Sequence, residues 1–478
     1  MKKSLKISSQ RPHAVASGHE KTTAAAHQIL QQGGNAFDAV LAAMMMSFVA
    51  EPLLSSPGGG GFLIASGPQQ SPKVLDFFSD TPERSAASID IDDVDFYPIM
   101  GDFGPRQQEF HIGRAAAAVP AVPAGIFSIH ESLCSLPLAD IAQPAIDAAN
   151  TGITVNHQQA YVAMILKPII ESNDTCKGLF KGFNAGSVWK NPQLASFLDS
   201  LSKSDHAWFY QGKIAAELSA NQGSLLSQVD FDSYQCQIRN PLELTVGSYQ
   251  ILTNPQPSSG GYLIIEQLRR LKNRHDELAV LEAMQHADDL KRNPLAEVSR
   301  GTTHMSVADG EGNLASLTLS NGEGNGQIVG DCGFMLNNFL GEEDINTHGF
   351  FAWQEKQRMR SMMSPTLVLG PNAQFALGTG GSNRIKTTLF QVINHLVNGK
   401  KHLKHAIEAP RMHYENSHLD LEPGFSAQIM EQLIKTNPIH SQWHNHNLYF
   451  GGVNAVQSGT TTSAISDFRR NGCGITGR

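Results

Sequence analysis

The sequence predicts an α+β fold in which two sheets are covered by helices, and three observations predict it. Strand-like and helix-like segments are segregated in both halves of the chain, the pattern of stacked layers. Residues 36–50 are apolar nearly all round, as a helix is when every side of it is covered. Residues 305–320 hold two runs around a Gly/Asn turn. In the second run Ala315, Leu317 and Leu319 share one face and Ser316, Thr318 and Ser320 the other, the period of a strand hairpin.

In chain order, residues 22–32 read as a helix stopped by Gly33-Gly34, and Asn35 is placed to cap the next helix, 36–50. Gly58–Gly61 form a tight passage into a strand at 62–65, followed by a strand at 74–78. A polar, proline-containing region covers about 80–114, and helical patterns dominate 125–201. A strand is expected at 246–252 and an amphipathic helix at 261–271. Beyond residue 302 strands come first (305–309, 314–320, 366–369, 374–377), then helices (385–397, 403–408).

Composition narrows the function classes. The chain has 478 residues, 41% of them hydrophobic and 17% charged, an ordinary globular balance. A net charge of −8, with no basic tract interleaved with aromatics, gives no electrostatic case for nucleic acid or an anionic membrane. Five scattered cysteines without a C-x-x-C pair fit a reducing compartment and neither a disulfide framework nor a structural zinc. The basic start Met1-Lys2-Lys3 is followed by no apolar run, so no secretory signal is read and a cytoplasmic location is expected. The apolar run 36–50 is too short to span a bilayer.

The chemistry centres on Gly301-Thr302. If that bond were cut, Thr302 would carry a hydroxyl nucleophile and a free α-amine of pKa ~7.7–8.0, suited to act as base for its own hydroxyl. Pairing about the 310–313 turn brings Thr302 opposite Ser320–Asn321. The run Gly378-Thr379-Gly380-Gly381-Ser382-Asn383-Arg384 lies between a strand and a helix, where backbone N–H groups stabilise an oxyanion. Gly58–Gly61 match no phosphate-binding pattern and read as a packed turn. His440, His444 and His446 lack an acidic or cysteine partner, so no metal is expected, and no cofactor is implied. Neither H-E-x-x-H nor G-x-S-x-G occurs. Asp288-Asp289 read as a solvated helix face, and Glu342-Glu343-Asp344 as loop acids.

Taken together, Thr302-Thr303-His304, Ser306-Val307, Asp309 and Gly312-Asn313 resemble the start of the small subunit in the gamma-glutamyltranspeptidase (glutathione hydrolase) family of N-terminal-nucleophile hydrolases. The likeness continues through Asn337-Asn338, Ser361–Thr366, Gly378–Arg384 and Ala409-Pro410-Arg411. Upstream it takes in Gln32–Ala39, Glu51-Pro52, Gly58–Phe62 and Pro257–Gly261, and so spans nearly the whole chain. It implies a four-layer αββα sandwich built by a large-subunit region, 1–301, and a small-subunit region, 302–478. It implies a self-processing threonine hydrolase or transferase that cleaves γ-glutamyl amides and passes the acyl group to water, an amino acid or a peptide. Its only partner would be its own cleaved second chain. Gly380 and Gly381 would supply the oxyanion hole, although Gly380-Gly381-Ser382 stands where the family has Pro-Gly-Gly. Ser320 would support the nucleophile, Glu342 would bind the substrate α-ammonium and Ser361 its carboxylate, with Met362 replacing a second serine and Asn321 shifted by one position.

Three departures accompany the likeness. Phe78 occupies the position of the arginine that clamps the γ-glutamyl α-carboxylate, a charge-assisted contact worth ~1.5–3 kcal/mol. Arg84 or Arg106 would have to replace it, or the substrate is another small amide. The segment from Gly261 to Thr302 is short, and the export signal is missing. A third reading is an unprocessed relative that binds amino-acid-like ligands without turnover.

Overall fold

The computed structural model describes residues 12–84, 90–102, 107–272, 274, 276–291, 302–343, 346 and 349–478. The expectations placed on Met1-Lys2-Lys3, Arg106, Gly301 and Asp344 lie outside these residues. The strands used below are β1 (His13–Ser17), β2 (Gly60–Gly67), β3 (Gln70–Phe77), β4 (Tyr97–Asp102), β5 (Gln107–Ile112), β6 (Gln237–Arg239), β7 (Leu242–Val246), β8 (Tyr249–Thr253), β9 (Thr302–Ala308), β10 (Leu314–Ser320), β11 (Thr366–Leu369), β12 (Ala373–Gly380), β13 (Gly452–Gly459), β14 (Ser463–Ser466) and β15 (Cys473–Gly477).

Two sheets form the centre. One runs β15-β1-β9-β10-β2-β3-β6 and the other β14-β13-β12-β11-β8-β7. Helices α1 (Glu20–Gln31) and α2 (Ala36–Ala50) cover the outer face of the first sheet. Two more, α3 (Ser259–Leu271) and α5 (Arg384–Val397), cover the second, and α4 (Glu277–Lys291) packs against α3. The result is the expected α+β, four-layer αββα sandwich. Strands from before and after residue 302 interleave in both sheets.

Helix α2 is buried along its whole length, as its composition requires. Asn35 caps it, accepting from the backbone N–H of Phe37 and Asp38, while Asp38 accepts from the Asn35 N–H, a reciprocal capping box. Asp309 ties this helix to the β9–β10 turn. Its Oδ1 accepts from the N–H of Glu311 and Asn313, and its Oδ2 accepts from Ala36 N–H at 2.9 Å. Gly312 turns the chain at φ 94°, a conformation glycine adopts without steric cost.

The hairpin's two faces meet unlike layers. Met305, Val307, Ala315, Leu317 and Leu319 join the α2 side chains in one apolar cluster. The polar face turns toward the other sheet, and its groups are satisfied there. Ser316 Oγ donates to Leu377 O, Ser306 Oγ to Asn454 O, and Asn454 Nδ2 to His304 O. Buried hydroxyls with partners cost little, whereas unpaired ones would cost ~1–3 kcal/mol each.

Three expectations are corrected. The strand expected at 246–252 is a hairpin, β7 and β8, because Gly247 at φ 59° reverses the chain. The polar region 80–114 contains the hairpin β4–β5, whose exposed Tyr97 and Met100 give no one-sided apolar alternation to read. Asp288 is buried, not solvated, and its Oδ1 accepts from Asn416 N–H.

Candidate active site

Thr302 is the first residue of β9 and lies directly opposite Ser320, the last of β10. Strand alternation puts it on the same face as His304 and Ser306, toward the second sheet. There β12 ends against it: a methyl group built on Gly380 would lie 2.0 Å from the Thr302 carbonyl oxygen. Glycine at 380 is therefore a requirement of close approach. The threonine is only 2% exposed but borders a cavity of about 320 Å³.

One wall of that cavity is the turn from β12 into α5. Gly380 is still paired to Gly452 of β13, whereas Gly381 (φ 131°) and Ser382 (φ 57°) leave the strand. Arg384 N–H and Ile385 N–H donate to the Gly381 and Ser382 carbonyls and close the first helical turn. Ser382 is 1% exposed, lines the cavity, and its Oγ has no hydrogen-bond partner among the described residues. Arg470 lies on the far side of these glycines, its Nη2 3.3 Å from a methyl built on Gly381. Arg470 Nη2 donates to Leu448 O at 3.2 Å. The wall continues through Trp443 and Tyr449, whose rings stack at 4.8 Å.

The opposite wall is acidic. Glu51, at the end of α2, accepts from Thr303 Oγ1 at 2.9 Å. Burial pushes its carboxyl up to about 7, against the smaller opposing effects of the Thr303 hydrogen bond and the Arg470 charge. His19, also at the cavity, has its pKa lowered by burial. Behind the nucleophile His304 is held between Thr318 Oγ1 and Ser306 Oγ at 2.8 and 2.9 Å, and burial lowers its pKa to about 3. It is neutral at any working pH, so it positions the strand and carries no charge to the reaction.

The residues expected to bind substrate divide. Thr302, Gly380 and Gly381 line the cavity, together with Gly322 and Glu323. Ser320, Asn321, Glu342, Ser361 and Met362 do not. Ser320 Oγ accepts from Gly322 N–H, and Asn321 Nδ2 donates to Leu336 O. Glu342 is buried, its Oε1 2.5 Å from a methyl built on Gly322. Ser361 Oγ accepts from Met363 N–H, and Met362 is fully enclosed.

Phe78 explains much of this closure. Its ring is fully buried, stacked on Phe62 at 5.5 Å and tilted against Phe339 at 4.7 Å, in the core cluster that also holds Met362. Among the described residues, three arginines of this region are engaged elsewhere. Arg358 is bound to Asp76 and Asp80, Arg239 to Asp76, and Arg84 to the Ser224 carbonyl.

The family model described as Gamma-glutamyltranspeptidase matches residues 22–292 and 276–476. The chain belongs to this family. Among its relatives, the glutathione hydrolase proenzyme of Pseudomonas aeruginosa is 25% identical over 97% of this chain and 94% of its own. The acylase ACY 1 proenzyme of a Pseudomonas species (strain V22) is 26% identical, covering 94% of this chain and 91% of that protein. A solved cephalosporin acylase from Bacillus halodurans shares the fold, with a TM-score of 0.82 at 19% identity over 99% of this chain and 97% of that one.

Within the gamma-glutamyltranspeptidase family this member has the fold of the N-terminal-nucleophile hydrolases. Among its described residues no group of three His, Cys, Asp or Glu is placed to hold a metal, and no helix is long and apolar enough to cross a membrane. Sequence reasoning missed Ser382, His19, Tyr449, Trp443 and Arg470. Only Ser382 left a signal, as the residue displaced by the one-position glycine shift.

Proposed function

We propose that the chain is a self-cleaving N-terminal-threonine amidohydrolase whose acyl group lacks the α-carboxylate of a γ-glutamyl residue. The observation that carries the first half is Thr302, facing Ser320 and pressed against Gly380 at the edge of a cavity. The Thr302 hydroxyl attacks the Gly301 carbonyl. An N-to-O acyl shift and hydrolysis of the ester then free the α-amine. In turnover that amine takes the hydroxyl proton, the oxygen attacks the substrate amide, and the amine returns the proton to the leaving nitrogen. Water then releases the acyl group. The helix-initiating turn supports Gly381 and Ser382 N–H as oxyanion donors, with Gly380 serving as the close-packed strand end.

The closed cluster of Phe78, Phe62 and Phe339 supports the second half, because it puts a packed apolar ring at the position where the family resemblance implies a guanidinium for the α-carboxylate. Two measurements test the reading. Denatured mass should give two fragments split before Thr302 in the wild type and one chain in Thr302→Ala. An intact chain in both favours the non-catalytic ligand-binding reading. With processed enzyme, 4-aminobutanoyl- and butanoyl-p-nitroanilide should exceed γ-glutamyl-p-nitroanilide in kcat/KM. The reverse order returns the chain to γ-glutamyl chemistry.

A further inference from the structure

Two arginines line the cavity, Arg384 and Arg470, and the proposed chemistry uses neither; Arg470 is the one beside the glycines. Arg470 Nε and Nη2 both donate to the Leu448 carbonyl, which fixes the guanidinium plane and leaves Nη1 without an acceptor among the described residues. Among the described residues it makes no ion pair either. Asp467 is occupied by Arg411 and Arg469. Glu51 senses Arg470 only at a distance, and its bonded oxygen accepts from Thr303. Burial, and after it the positive charge of Arg384, lowers the Arg470 pKa to about 10, yet Arg470 remains charged at neutral pH.

The side of Thr302 on which Arg470 stands decides what it reads. Strand β9 lies between β10 and β1. On the β10 side are Ser320, Glu342 and the Phe78 cluster, where the family resemblance places the acyl group. Arg470 packs against Gly452 of β13, with its Cδ 2.5 Å from a methyl built on that glycine, on the side of β1. Its guanidinium flanks Gly380 and Gly381 there. The same corner holds the buried, unpartnered Ser382 Oγ and the amino end of the 14-residue helix α5. A fixed guanidinium, a free hydroxyl and a helix N-terminus converging on one corner are the elements of a carboxylate site.

We infer that Arg470, with Ser382, reads a carboxylate on the leaving amine, so that the preferred substrates are N-acyl amino acids or short peptides whose terminal carboxylate lies next to the scissile amide. This rests on the amidohydrolase reading, and it names the half of the substrate which that reading leaves open. The substrate amine departs toward Trp443 and Tyr449 with its carboxylate still held. An amino acid entering the same corner is oriented with its nitrogen toward the acyl-enzyme.

Matched donors test this: 4-aminobutanoylglycine against 4-aminobutanoylglycinamide, and γ-glutamylglycine against γ-glutamylglycinamide, followed by release of glycine or glycinamide. The wild type should show a KM roughly 10–100-fold lower for the carboxylate member of a pair, the range of a charge-assisted hydrogen bond. Arg470→Met should bring the ratio to about one, and Arg470→Lys should recover part of it. A wild-type ratio near one, or a preference that survives in Arg470→Met, overturns the assignment. If no donor turns over, the amidohydrolase reading fails separately. The site is then judged by thermal unfolding: N-acetylglycine should stabilise the wild type and not Arg470→Met, while N-acetylglycinamide should stabilise neither. Equal effects of the two ligands on the wild type overturn it.

Discussion

Restoring the family arginine at position 78 should damage this protein without converting it. Phe78 is fully buried between Phe62 and Phe339, so Phe78→Arg removes a packed ring and puts a guanidinium in its place. Losing a buried phenylalanine costs ~3–5 kcal/mol. An unpaired buried charge costs several kcal/mol more, and Asp76 and Asp80, the carboxylates two residues either side of position 78, are already held by Arg239 and Arg358. The combined loss is comparable with the ~5–15 kcal/mol that holds a typical domain folded. Denaturant unfolding followed by circular dichroism should place Phe78→Arg at least about 4 kcal/mol below wild type, with no gain of γ-glutamyl-p-nitroanilide cleavage. A variant within about 1 kcal/mol of wild type that cleaves γ-glutamyl donors would refute the argument, since the ring cluster would then be a dispensable plug.

Two further predictions concern the nucleophile's surroundings. Gly380→Ala places a methyl group 2.0 Å from the Thr302 carbonyl, so the strand end must shift and processing should stop; a normally split chain on denaturing electrophoresis would show that this approach is not required. Glu51, with its folded pKa raised to about 7 from 4.5, favours the folded state at low pH and loses that advantage as pH rises through about 7. The loss amounts to about 3 kcal/mol. Glu51→Gln should therefore flatten the fall in stability between pH 4.5 and 7, and a slope unchanged in that window would remove Glu51 as its cause.

What could be read from the chain alone was whatever local periodicity or a contiguous motif carries. Helix α2 announced itself because fifteen enclosed residues need no polar face, and Asn35 marked its start. The β9–β10 register followed from counting outward from Gly312, which fixed Thr302 against Ser320. Phe78 stood out as a substitution within a motif, but its consequence did not, because Phe62 and Phe339 reach it from distant parts of the chain. Arg470 was invisible for the same reason. It follows β14 in a short turn, next to an arginine of quite different surroundings, and only the pairing of Gly380 with Gly452 carries it to the nucleophile. The hairpin β4–β5 escaped because Tyr97 and Met100 of β4 are exposed and only Phe110 and Ile112 of β5 turn inward, too short an alternation to mark a pair of strands.

The interleaving of the strands has a consequence for how such a protein could be made. Strands β9 and β10, which follow residue 301, lie between β1 and β2, which precede it, while β15 from the extreme carboxyl end closes the far edge against β1. In the second sheet β11 pairs with β8 across the same division. A cut before Thr302 would leave two polypeptides laced through one another, parting only if both sheets were dismantled. The uncut chain is then the only unit able to find the fold, and the break acts afterwards as a one-way latch. Heated past unfolding, the cut protein has lost the tether that kept its strands at high local concentration, so on cooling it should be far harder to recover than its Thr302→Ala counterpart.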